Sequence, residues 1–263
     1  MREEKIAGIR SAILWASPII AIAAITLIVA MVACSASATE ATATNTSTNS
    51  AVPDFYKNFS SAVTVSVDGD YVVLKSNGIP DHKSPYFSKS SSQYEAYNGT
   101  NPNFNLAPNT IAEQQLVMRI PINPVKQATP SATPLGPIGM ALNGVAIFNQ
   151  YAGGGQPLAG EIDTFDQYDG HPQQTGTYHY HAEPYYLTRA SKEALVGVLL
   201  DGYPVYGPME NGKLITNSDL DAAHGHTTPT KEFPNGIYHY HTTAAAPYIN
   251  GSGFAGVPGT TTR

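Results

Sequence analysis

Gly176-Thr177-Tyr178-His179-Tyr180-His181 and Gly236-Ile237-Tyr238-His239-Tyr240-His241 carry the same tetrapeptide, and four of the chain's eight histidines lie in these two copies. Tyrosine favours strands and glycine marks a turn, so each copy reads as a short β-strand entered from a turn. Successive side chains on a strand point to opposite faces, which sends both tyrosines of a copy one way and both histidines the other. The two imidazoles then start roughly 6.5–7 Å apart at Cβ, and two ring nitrogens at that spacing can meet on one metal ion at about 2.0–2.1 Å each.

Working outward, each copy closes a longer repeat. Gly139-Met140-Ala141-Leu142-Asn143-Gly144-Val145-Ala146-Ile147-Phe148-Asn149 aligns without gaps on Gly197-Val198-Leu199-Leu200-Asp201-Gly202-Tyr203-Pro204-Val205-Tyr206-Gly207, 58 residues later. Gly170-His171 matches Gly225-His226 at an offset of 55, and the tetrapeptides match at 60. Each half, near 136–183 and 195–243, reads as apolar strand, Asn-Gly or Asp-Gly turn, second strand, acidic loop with Gly-His, then the tetrapeptide. Asn-Gly and Asp-Gly between strands are strong hairpin signals. The expected fold is mostly β: one domain over 53–263 made of a duplicated β-hairpin/strand unit, sandwich- or barrel-like, packed about a pseudo-two-fold axis. Upstream, 62–67 and 71–74 flank Asp68-Gly69-Asp70 as a hairpin, and 115–120 reads as a further strand. Residues 83–110 read as surface loop, and Thr188–Ala194 as the only good helical turn of the domain.

The first fifty residues differ from the rest. Residues 12–33 form an uncharged apolar run of 22, after Arg2, Lys5 and Arg10. That length can span a bilayer and exceeds an ordinary signal core. The single cysteine, Cys34, follows Met31-Val32-Ala33 as in a lipobox, while Ala36-Ser37-Ala38 offers a cleavage site after Ala38. Residues 1–34 are thus a signal peptide or membrane anchor, with a lipidated Cys34, an uncleaved helix and a secreted product as three open outcomes. Each puts the remainder outside the cytoplasm. Residues 35–52, rich in Ser, Thr and Ala, read as a flexible linker. Only 13% of residues are charged and the net charge is −6, so no basic surface for nucleic acid is expected.

Each half offers a histidine triad: His171 with His179 and His181, and His226 with His239 and His241. Three imidazoles from a strand pair and a neighbouring loop leave an open coordination position, the pattern of catalytic zinc. Imidazoles without thiolates suit a transition metal, with Zn or Cu the expected ions. Glu161 and Asp163 are candidate bases, and His82, Asp201 and His224 candidate lining residues. Asp201 has a second reading as a turn residue that bonds its own backbone, like Asn143 at the matching repeat position. The histidines likewise have a metal-free reading as packed strand residues bonded to carboxylates or carbonyls.

The paired tetrapeptides, Leu200–Gly207, Asn77–His82 and Leu142–Val145 together resemble the YHYH protein family over roughly residues 60–255. The resemblance implies an exported domain without fixing a reaction. Relatives carry cysteines near the Gly-His loops, and this chain has none there. Three functions follow: a membrane-tethered domain that binds a transition metal for handling or sensing, a metal-dependent hydrolase using the same histidines with an acidic base, or a metal-free carbohydrate-binding module. No hydrolase elbow, phosphate loop or dinucleotide fingerprint competes with them.

Overall fold

The computed structural model describes residues 51–263; the apolar run at 12–33, Cys34 and nearly all of the linker lie outside the described residues. The chain enters through β1 (Thr64–Asp68) and β2 (Tyr71–Ser76), joined at Gly69, whose φ of 59° is left-handed, then β3 (Leu116–Pro121) and β4 (Lys126–Ser131). The first repeat supplies β5 (Pro137–Ala141), β6 (Ala146–Phe148), β7 (Tyr151–Ala152), β8 (Gln156–Pro157), β9 (Gly170–Pro172) and β10 (Tyr178–Tyr180). After a short helix, α1 (Tyr185–Thr188), the second repeat supplies β11 (Leu195–Leu199), β12 (Pro204–Tyr206), β13 (Met209–Glu210), β14 (Lys213–Leu214), β15 (Gly225–Thr228) and β16 (Ile237–His241). Strands β17 (Phe254–Gly256) and β18 (Thr260–Thr262) close the chain.

The protein is mostly β, and its largest sheet is a palindrome. Eight strands run in the order β15-β16-β12-β11-β5-β6-β10-β9, the same sequence of repeat positions read from either end. The pseudo-two-fold axis passes between β5 and β11, which pair antiparallel about Met140 and Val198. Flanking hydrogen bonds obey the same symmetry: Leu142 N–H donates to the Val196 carbonyl and Leu200 N–H to the Ile138 carbonyl, both at 2.8 Å. Among the described residues no closed barrel forms. The equivalent edges, β15 and β9, pair only with β16 and β10 and not with each other. A four-stranded sheet, β1-β2-β3-β18, shares one apolar core with the large sheet: Val72, Leu74, Leu116, Met118 and Ile120 pack with Ile138, Met140, Val145 and Val198.

Glycine is required at the axis. A methyl group on Gly197 would collide with the Met140 carbonyl oxygen, and one on Gly139 with that of Val198. Gly197→Ala is therefore expected to cost about 1–3 kcal/mol of unfolding free energy. Gly153→Ala, at a position with nothing within 4 Å, serves as the neutral control in the same urea titration.

The helical turn lies earlier than the sequence implies. It spans Tyr185–Thr188 rather than 188–194, because Pro184 starts it and the Glu183 carboxylate accepts the Thr188 hydroxyl and the Lys192 ammonium beyond it. Nor is it the only helical segment, since five 3-10 turns, among them Asp54–Asn58, accompany it among the described residues.

Candidate metal centres

Strand β10 lies between β9, antiparallel, and β6, parallel, and the register sets His171 directly opposite His179. His181 follows two residues later on the same face. The Nε2 atoms of His171 and His179 are 3.1 Å apart, and those of His179 and His181 are 2.9 Å apart. The second half repeats the arrangement. His226 faces His239 across β15 and β16, and the Nε2 separations are 3.2 Å for His226–His239 and 3.1 Å for His239–His241. The structure thus builds two triads, one per repeat, and shares neither across the axis. Ligands of a tetrahedral ion with bonds of 2.0–2.1 Å lie roughly 3.3 Å apart, close to these spacings.

The outer nitrogens fix the tautomers. His179 Nδ1 donates to the Thr177 carbonyl at 3.0 Å, and His181 Nδ1 to that of Asn149 at 2.5 Å. His171 Nδ1 meets Thr164 Oγ1 at 2.7 Å; that hydroxyl already donates to the Glu161 carbonyl, so the imidazole is the donor. Likewise His239 Nδ1 donates to the Ile237 carbonyl at 3.0 Å and His241 Nδ1 to that of Gly207 at 2.7 Å. With protons on Nδ1 in these five rings, their converging Nε2 atoms present bare lone pairs. Protonation does not supply the missing charge. Burial, with His181 beside it, brings His171 down to about 3, and burial brings His181 and His241 to about 4.

Each triad has a carboxylate beside it. Glu161 Oε2 lies 3.6 Å from His171 Nε2 and 3.9 Å from His181 Nε2. Glu210 Oε1 lies 3.4 Å from His239 Nε2 and 3.6 Å from His226 Nε2. Because the imidazoles of His171 and His181 are shifted toward their neutral forms, the approaches to Glu161 are not ion pairs of the bare protein. Burial opposes ionisation of Glu210, but the Thr228 hydroxyl and the three imidazoles outweigh it and hold the carboxyl below its usual range. The first triad opens on a cleft of about 460 Å³ and the second on one of about 730 Å³.

Other candidates stand elsewhere. Asp163 is not brought to the triad: its carboxylate accepts from Asn101 Nδ2 at 3.0 Å, and it lines a different cleft. His224 turns away from His226 because its backbone is left-handed, φ 78°. Its ring bonds the Ile249 carbonyl, Asn217 and Thr243 instead. His82 and Asp201 belong to the tyrosine face. Tyr180 donates to His82 Nε2 at 3.1 Å while accepting from Asn143. Asp201 takes the turn role, its Oδ1 accepting the Tyr203 N–H at 3.3 Å, while its Oδ2 accepts the Tyr240 hydroxyl at 2.5 Å on the face away from the histidines.

The tyrosines, then, are anchored by buried acids. Asp166 accepts the Ser84 hydroxyl at 2.5 Å, the Tyr178 hydroxyl at 2.9 Å and the Tyr168 N–H at 2.9 Å. Asp166→Ala orphans these donors and is expected to cost about 3 kcal/mol or more, in a chemical denaturation series. Metal stoichiometry of the folded variant should not change, since Asp166 lies across the strand from the triad.

Sequence reasoning missed Glu210, Thr164 and the phenylalanines at the first triad. Glu210 follows the aligned segment by only three residues and opens the Asn211-Gly212 hairpin, which is the signal that identifies it. The family model described as YHYH protein matches residues 117–214 and 209–254. No curated protein and no solved structure matches the chain.

Proposed function

We propose, from the premise that this chain belongs to the YHYH protein family, that each half of its duplicated domain holds one transition-metal ion on its histidine triad. One observation carries the reading: three buried Nε2 lone pairs converge within hydrogen-bond distance while their Nδ1 protons are committed elsewhere. Bare lone pairs at that spacing repel unless a cation stands among them. A metal-free carbohydrate module places no such demand on its histidines. Zn or Cu fit a donor set of nitrogens with one nearby carboxylate oxygen. The role we assign is metal handling or sensing on the extracytoplasmic side of a membrane, where the apolar run at 12–33 or a lipidated Cys34 would hold the domain.

A second reading, metal-assisted hydrolysis, is favoured by Glu161. Its side chain is 34% exposed at the mouth of the cleft over the first triad, within reach of water there. A bound ion would supply Lewis acidity, and Glu161 would accept the proton of the attacking water. The test of the primary reading is metal content of the full-length protein after supply of Zn, of Cu and of both together. Two equivalents are expected, falling to one in His179→Ala/His181→Ala. Metal-free preparations of both proteins under every supply condition would sink the proposal.

A further inference from the structure

The two triads are related by the repeat, yet their surroundings differ at aligned positions. At the 58-residue offset Phe148 stands where the second half has Tyr206, and Ala152 where it has Glu210. The first triad is walled by aromatic carbon. Phe148 stacks on His179 with ring centres 4.0 Å apart, and Phe165 meets His171 and His181 at 4.9 and 6.1 Å. Ala152 borders the same cleft and is buried. Its nearest carboxylate, Glu161, comes from a non-equivalent loop, is 34% exposed, and spends Oε1 on the Gly153 N–H. Arg263 lines this cleft and adds positive charge.

The second triad is built differently. Glu210 stands beside His226 and His239 with its side chain only 17% exposed, and the Thr228 hydroxyl holds its Oε1. Tyr206 puts a phenol where Phe148 stands in the first half. Its ring centre is 5.1 Å from that of His239, and its hydroxyl donates to Glu232 at 2.8 Å.

Resting on the reading that both triads hold metal, we propose that the halves hold ions of different charge: Cu(I) on His171, His179 and His181, and a divalent ion of the Zn(II) class on Glu210, His226, His239 and His241. The cost of taking an ion out of water rises with the square of its charge, and it is offset only by charge in the donor set. At the first triad the nearby Glu161 carboxylate is 34% exposed and does not join the three imidazoles as a fourth mutually close donor, so its charge is screened by water, which penalises a divalent ion there and tolerates a univalent one. At the second triad Glu210 removes one unit from the net charge. Softness does not separate the sites, since both present imidazole nitrogen. Charge does.

The test uses the full-length protein in oxygen-free buffer. Cu(I) and Zn(II) are each titrated in competition with a chromophoric chelator of known affinity. The parent is expected to retain one Cu(I) that Zn(II) does not displace, together with one Zn(II). His179→Ala should abolish the Cu(I) site and His239→Ala the Zn(II) site. Glu210→Gln keeps the side chain's shape at a partly exposed position and so preserves folding. It is expected to weaken Zn(II) by about tenfold to a hundredfold while Cu(I) affinity stays unchanged. The reciprocal swap, Ala152→Glu, should let Zn(II) compete at the first triad. An unchanged Zn(II) affinity in Glu210→Gln, or loss of Zn(II) rather than Cu(I) in His179→Ala, overturns the assignment. Two sites of identical preference overturn it too, while leaving the metal reading standing; a protein that binds neither ion overturns both.

Discussion

Saturating both triads with metal is expected to raise the thermal midpoint of the full-length protein by roughly 15–30 °C over the chelator-treated form. An ion that binds only the folded state stabilises it by about 4 kcal/mol per site at a thousandfold excess over its Kd. A domain of this size converts each kcal/mol into about 2–4 °C. The effect has a structural seat. His171 sits on β9 and His179 on β10, so an ion shared between them joins an edge strand to its only neighbour in the sheet. The same holds for β15 and β16 through His226 and His239. Both edge strands are short, and a bond across each pair suppresses the fraying to which such strands are prone. Calorimetry with Zn(II), with Cu(I) in oxygen-free buffer, and with both together checks this. No shift with any of them would argue that the imidazoles are packing groups. Stepwise loss of the stabilisation in His179→Ala and His239→Ala would show that the two edges are secured separately.

The two-face logic of the tetrapeptide was legible because it depends only on the strand period, which no tertiary contact changes. Tyr178 and Tyr180 lie on the Asp166 and Asn143 side, and His179 lies on the other. The duplication was legible for a related reason: Asn143-Gly144 and Asp201-Gly202 demand left-handed glycines, φ 85° and 86°, in both halves. What the sequence concealed were features that break the repeat. Glu210 comes from a hairpin whose counterpart carries Ala152, so the alignment that found the histidines hides the carboxylate. Asp163 stands two residues from Glu161 but on a 3-10 turn, Ile162–Thr164, whose tight winding sends the two carboxylates apart. His224 mimics a His-x-His ligand pair, and only the left-handed backbone reveals that its ring leaves the strand face. The sequence left sandwich and barrel both open because strand patterning says which strands pair locally and nothing about whether two distant edges meet.

Acid should unfold the metal-stripped protein well before it affects an ordinary β domain. Burial, helped at His171 by neighbouring His181, places His171 at about 3, and burial places His181 and His241 at about 4 in the folded chain, against about 6.5 when unfolded. A histidine with a depressed folded value takes up its proton more readily unfolded. Its contribution is therefore complete above pH 6.5 and is lost as pH falls toward 3–4. Each such imidazole is worth on the order of 4 kcal/mol, less when neighbours within a triad are counted together. Buried acids work in the opposite sense. Burial raises Asp201 to about 6 and Asp169 to about 7, so the folded state binds their protons first and gains stability as pH falls through those values. The histidines outnumber them, since His82, His179, His224 and His239 are also pushed down by burial. Urea midpoints of stripped protein are expected to fall steeply between pH 6 and 4, and more steeply in Asp201→Asn, which removes one opposing group. A bound ion must be displaced before the imidazoles protonate, so loaded protein should hold its midpoint to lower pH. The gap between loaded and stripped protein should then close near pH 4 as protons win the nitrogens. A flat midpoint in stripped protein from pH 7 to 4 would contradict neutral, buried triads.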